Sequence, residues 1–130
     1  MSDDHLELGR AGERAAVRHL KRLGYRILET NVELPGGELD VVARHKGVVC
    51  VVEVRARLGD DVREALESVD LRKRRKLVAL ARAYLAGRKF RPDTPVRFDV
   101  AAVTFPEGDL DRPRVTLVTD AISTDDLRPR

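Results

Sequence analysis

The sequence predicts a single α/β domain, a central mixed β-sheet flanked by helices, with elements in the order αβββαββ. Three observations carry that prediction. The hydrophobic period is helical near the start, alternates in twos through the next stretch, returns to helical spacing after residue 70 and alternates again near the end. The breaks between these stretches are marked by Gly, Pro and Asp, and no repeat or low-complexity tract separates a second domain. A chain of 130 residues, 42% hydrophobic and 36% charged, suffices for one buried core and is neither disordered nor membrane-like in composition.

Residues 1–5 read as a flexible lead. Residues 6–23 read as an amphipathic helix, because Ala16, Leu20 and Leu23 fall at helical spacing with Arg and Lys opposite, and Gly24 ends it. From Tyr25 the period changes: Tyr25, Ile27 and then Asn31, Val32 and Leu34 predict a strand closed by the Pro35-Gly36-Gly37 turn. Residues 38–44 and 48–57 follow as a hairpin around Lys46-Gly47. Gly59-Asp60-Asp61 precedes a short helical piece at 62–69, and Asp70 offers an N-cap oxygen to a longer helix reaching about residue 86. Leu77, Leu80, Ala81 and Tyr84 form its buried stripe. Strands are expected at 96–104 and 115–120, so the domain spans 6–122 with a loose tail at 123–130.

Composition excludes several classes of function. The longest aliphatic run, interrupted only by Cys50, is Val48 to Val52, far short of the roughly 20 residues of a membrane helix. The acidic start Ser2-Asp3-Asp4 lacks the basic and apolar regions of a secretory signal, so a cytoplasmic location is expected. The lone Cys50 sits in an aliphatic run, as a small buried hydrophobe does. His5, His19 and His45 show no metal-ligand spacing. Net charge is only +3, but it is unevenly laid out. Between Leu71 and Pro92 nine basic residues stand with no acidic one, and the remaining 16 basic residues face all 22 acidic ones.

The sharpest signal lies in the hairpin. With Lys46-Gly47 as a two-residue turn, His45 pairs with Val48, Asp40 faces Glu53 and Glu38 faces Arg55. Alternation then puts Glu38, Asp40, Glu53, Arg55 and Arg57 on one face and Leu39, Val41, Val52, Val54 and Ala56 on the other. Like charges directly opposite are destabilising. Two readings are open: a hard divalent cation such as Mg²⁺ or Mn²⁺ between the carboxylates, or an exposed polar face neutralised by Arg55 and Arg57. Glu13 on the first helix and Lys73 on the long helix both fall on otherwise apolar stripes, which adds weight to a site. Arg72, Arg75 and Arg82 point away from that stripe. With Lys76 and Arg57 they are candidate phosphate contacts, suited to duplex or branched backbones because few aromatics interleave. Asp99 in Arg97-Phe98-Asp99 either supports the site or salt-bridges near Arg97.

Gly12-Glu13, Asn31, Gly37-Glu38-Leu39-Asp40, Val52-Glu53-Val54-Arg55-Ala56-Arg57, Lys73 and Arg97-Phe98-Asp99 together resemble the YraN family of small bacterial proteins, over roughly residues 6 to 122. That family is similar to the restriction-endonuclease-like fold, including Holliday junction resolvases. The resemblance implies a Mg²⁺ or Mn²⁺ site with Glu13, Asp40 and Glu53 as acids, the Val54 carbonyl as a backbone ligand and Glu38 in support. It also implies a homodimer. Arg55 stands where the nuclease motif has Lys. A guanidinium stays protonated, so it can orient phosphate or offset developing charge but is no general base. Lys73 either supplies the missing ammonium or pairs with a carboxylate such as Glu53. The expected function is binding of structured DNA with metal-dependent phosphodiester hydrolysis, through Asp40, Glu53, Arg55 and Lys73. Its rivals are a non-catalytic nucleic-acid-binding module of the same fold and a protein-interaction domain with a basic docking helix.

Overall fold

The computed structural model describes residues 2–123, so the expected loose tail lies, from residue 124 onward, outside the described residues. Helix α1 spans Ser2–Arg22 and includes residues expected as a flexible lead. Asp4 in its first turn places negative charge where the helix dipole favours it. Its far end is closed by a Schellman turn. Gly24 has φ +89°, its N–H donates to the Lys21 carbonyl, and the Tyr25 N–H donates to the Leu20 carbonyl, both at 3.0 Å. The turn folds Tyr25 back into the core beside Leu20. Leu23, expected on the buried stripe, lies beyond the last helical residue and is 48% exposed.

Strands β1 (Arg26–Leu34), β2 (Gly37–His45) and β3 (Val48–Leu58) follow as two successive hairpins. Helices α2 (Val62–Glu67) and α3 (Leu71–Ala86) then cross to β4 (Val96–Phe105), and β5 (Arg114–Val118) closes the chain order. The expected short helical piece is thus α2, which makes the order αβββααββ. Asp70 caps α3 as expected, its Oδ1 accepting the Lys73 N–H at 2.9 Å. The five strands lie in sequential order, with β3 and β4 parallel and every other neighbouring pair antiparallel. Helices cover both faces of the sheet. On one face Ala16 and Leu20 of α1 pack with Val41, Val52, Val103 and Phe105. On the other, Leu77, Leu80, Ala81 and Tyr84 of α3 pack with Val42, Val51 and Phe98, so the predicted α3 stripe is the buried one. This single α/β domain is consistent with the restriction-endonuclease-like arrangement.

A Cβ at Gly12 would stand 2.7 Å from the Ala56 Cβ, so α1 lies directly on β3 at that point. Gly12 thereby sets the next residue, Glu13, at the edge of the strands.

Candidate functional site

The β2–β3 turn has Lys46 at φ +50° and Gly47 at φ +80°, the left-handed pair of a primed hairpin turn. The expected register holds from His45↔Val48 to Val41↔Val52 and stops there. Asp40 and Glu53 are therefore not a ladder pair, nor are Glu38 and Arg55. The Asp40 carboxylate instead takes a backbone partner, its Oδ2 accepting the Val54 N–H at 2.8 Å. Alternation also breaks here: Leu39 packs in the α3-side core and Val41 in the α1-side core, although the sequence reading put them on one face. Opposite, on β1, Asn31 has φ +51°, and Thr30, Asn31, Asp40 and Val41 all line one cleft under α1. A paired irregularity in β1 and β2 turns these residues toward α1.

That irregularity gathers three acids. Oxygen atoms of Glu13, Glu38 and Asp40 lie within 4.8 Å of one another. Asn31 ties two of them, its Nδ2 donating to Glu13 Oε2 at 2.8 Å and to Glu38 Oε1 at 3.2 Å. Asp40 is half-buried among them. Burial, then a hydrogen bond to Glu53 and the Glu53 charge, push its carboxyl up to about 9, against which the Val54 N–H works. An all-oxygen set of this kind suits a hard divalent cation, and the proton held by Asp40 is one that such a cation would displace.

Glu53 approaches Asp40 from the other side of the sheet. It is 3% exposed, and its Oε2 has Lys73 Nζ at 3.1 Å and Arg55 Nη1 at 4.0 Å but no well-oriented hydrogen bond. Lys73 thus pairs with Glu53, the second of its two expected roles. The Arg55 Nε donates to Ser68 Oγ at 2.7 Å and its Nη2 to the Ser68 carbonyl at 3.3 Å, holding the end of α2. Arg57 lies 3.7 Å from Glu64 and donates to the Ala56 carbonyl. Arg55 and Arg57 still line a smaller cleft of about 220 Å³ that reaches Glu13 and Val54. Val54 joins the acids through its N–H.

The structure does not bring every expected residue to this centre. Arg72, Arg75, Lys76 and Arg82 are exposed on α3, across the sheet from the cleft, although the Lys76 stem passes over Gly37, next to Glu38. Asp99 is fully engaged elsewhere. Its oxygens accept from Arg97 Nε and Nη2, from the Tyr25 hydroxyl and from the Asp120 N–H, and none of these partners is an acid of the cluster. Two features went unassigned in the sequence reading. Asn31 bridges two acids, and its only signal was its place in the resemblance. Arg10, Arg14, Arg18 and Lys21 line the α1 cleft, about 520 Å³ in volume, together with Glu13 and Asp40. Their spacing of four, four and three residues was visible as the polar side of the first helix.

Residues 12–103 match the family model described as Uncharacterised protein family UPF0102. A UPF0102 protein of Roseiflexus castenholzii is 43% identical over 104 residues, 80% of this chain and 84% of the relative. One of Syntrophotalea carbinolica is 44% identical over 103 residues, covering 79% and 83%. One of Xylella fastidiosa is 49% identical over 94 residues, covering 72% and 78%.

Proposed function

The chain belongs to the uncharacterised protein family UPF0102, and from that premise and the site geometry we propose that it binds structured nucleic acid, double-stranded or branched DNA, and hydrolyses phosphodiester bonds with Mg²⁺ or Mn²⁺. One observation carries the reading: carboxylate oxygens of Glu13, Glu38 and Asp40 lie within 4.8 Å of one another, with buried Glu53 close enough to Asp40 to push its carboxyl up. Glu13, Glu38 and Asp40 would hold the ion. When bound, it would supply Lewis-acid polarisation of a phosphate and a water of lowered pKa.

The chain's own residues have separate tasks in this reading. Asp40 would offer one of the oxygens, and the Val54 N–H fixes the orientation of its carboxylate. Glu53, paired with Lys73 and near Arg55, is fixed in place behind Asp40. Asn31 holds Glu13 and Glu38 in register. Arg55 and Arg57, at the smaller cleft, orient a phosphate oxygen or offset its charge. Neither is a general base, so the proton from the attacking water goes to another acceptor, such as a substrate phosphate.

Cleavage of a four-way junction and of a plain duplex with Mn²⁺ tests the reading, comparing the wild type with Asp40→Asn and Glu53→Gln. We expect activity that requires Mn²⁺ and falls about 100-fold or more in each variant, as when a group central to charge stabilisation is removed. Activity that survives both substitutions overturns it. A second reading, a non-catalytic module of the same fold, is favoured by the Arg55 side chain being bonded to Ser68. Salt-dependent binding with no cleavage of any substrate would select that reading.

A further inference from the structure

The α1 side of the cleft carries a feature that the acids do not explain. Arg10, Arg14, Arg18 and Lys21 all line it, and all four are exposed. None forms an ion pair among the described residues, in contrast to Arg55, Arg57, Lys73, Arg88, Arg97 and Arg112. Arg10 and Arg14, and Arg14 and Arg18, are like charges at i,i+4, an arrangement that works against the helix they sit on. The nearest acid in sequence, Glu13, is hydrogen-bonded to Asn31. The row runs for about 16 Å at 1.5 Å per residue, longer than a single phosphate or a triphosphate chain needs.

We propose that this row is the track on which a nucleic-acid backbone lies as it enters the acidic cluster. The inference rests on the nucleic-acid reading above and names the residues that meet the phosphates. Four guanidinium and ammonium groups on one wall attract a polyanion, and Glu13 and Asp40 on the same cleft place the cluster beside the bound strand. The exposed arginines of α3 are equally unpaired among the described residues but lie across the sheet, where a strand in this cleft does not reach them.

Binding of the full chain to a fluorescent 20-base-pair duplex, in chelator and over a salt series, tests the proposal. The variants are Arg10→Gln/Arg14→Gln/Arg18→Gln and, as an equal change in net charge, Arg72→Gln/Arg75→Gln/Arg82→Gln. Each duplex phosphate contact contributes about 0.9 to the slope of log affinity against log salt, so the α1 triple variant should lose about 2 to 3. The α3 variant should lose less than half as much. An unchanged slope in the α1 variant, or equal losses in both, overturns the proposal while leaving nucleic-acid binding intact. Wild-type protein with no salt-dependent binding overturns the nucleic-acid reading and this inference with it. Gln keeps helix propensity, and circular dichroism checks the fold. Should the triple variant misfold, Arg14→Gln alone should lower the slope by about 0.9, and no change there is an overturning result.

Discussion

Asp40 and Asp99 stand on strands that flank β3, and they have opposite surroundings. Asp99, 1% exposed, has its charge matched by Arg97, with the Tyr25 hydroxyl and the Asp120 N–H filling its remaining acceptor positions. Its presence raises Arg97 above the ordinary arginine range, chiefly through their hydrogen bonds, and burial followed by the Asp99 charge raises Tyr25. Asp40 has one N–H donor and three acids around it, Glu13, Glu38 and Glu53. A carboxylate surrounded by donors holds a fold together. A carboxylate surrounded by carboxylates costs the fold stability, and a divalent cation would offset that cost.

Substitution at the two positions should therefore have opposite signs. Asp99→Asn leaves Arg97 without its counter-charge and should lower unfolding stability by about 3 kcal/mol in urea titration, the low end for a broken buried pair. Less than about 1 kcal/mol would make the Asp99 node ordinary surface chemistry and dissolve the contrast.

The next largest effect concerns metal and pH at Asp40. Added Mn²⁺ at about 100 times its dissociation constant should stabilise the wild type by about 2.7 kcal/mol and Asp40→Asn by far less. In chelator the carboxyl holds its proton to about 9 when folded, against an ordinary 3.8. The folded state therefore binds the extra proton between those values. Its contribution is fully present below about 3.8 and is lost as pH rises through about 9. Wild-type stability in chelator should fall from acid to alkaline pH more steeply than that of Asp40→Asn, and at pH 8 the variant should be the more stable. A less stable variant at pH 8 would place Asp40 with Asp99 as a structural acid.

The smallest effect is Tyr25→Phe, which removes a hydroxyl that accepts from Arg97 Nη2 at 2.7 Å and donates to Asp99 at 3.3 Å. Thermal or urea unfolding should register a loss of about 1 kcal/mol, since Arg97 and Asp99 retain each other.

Much of this molecule was determined by local rules. Lys46-Gly47 dictated a two-residue hairpin and its register, Asp70 dictated the start of α3, and the spacing of Leu77, Leu80, Ala81 and Tyr84 dictated which side of α3 is buried. These follow from turn chemistry, capping and periodicity, all of which act within a few residues. The start of α1 at Ser2 is not legible in the apolar period, because an acidic, polar opening lacks it even though acids suit a helix N-terminus.

The site was legible as residue types and not as an arrangement. Strict alternation put Glu38, Asp40 and Glu53 on one face. Tertiary structure decided otherwise, because Asp40 took the Val54 N–H in place of a ladder partner and Asn31 adopted a left-handed backbone opposite it. Those two local departures turn Glu38 and Asp40 toward Glu13 and leave Glu53 to Lys73. The sequence by itself determined the elements, their caps and their buried faces, since those depend on near neighbours. Which charges meet was decided by the close approach of α1 at Gly12 and the end of the β2–β3 ladder, contacts between residues more than ten positions apart that no local period encodes.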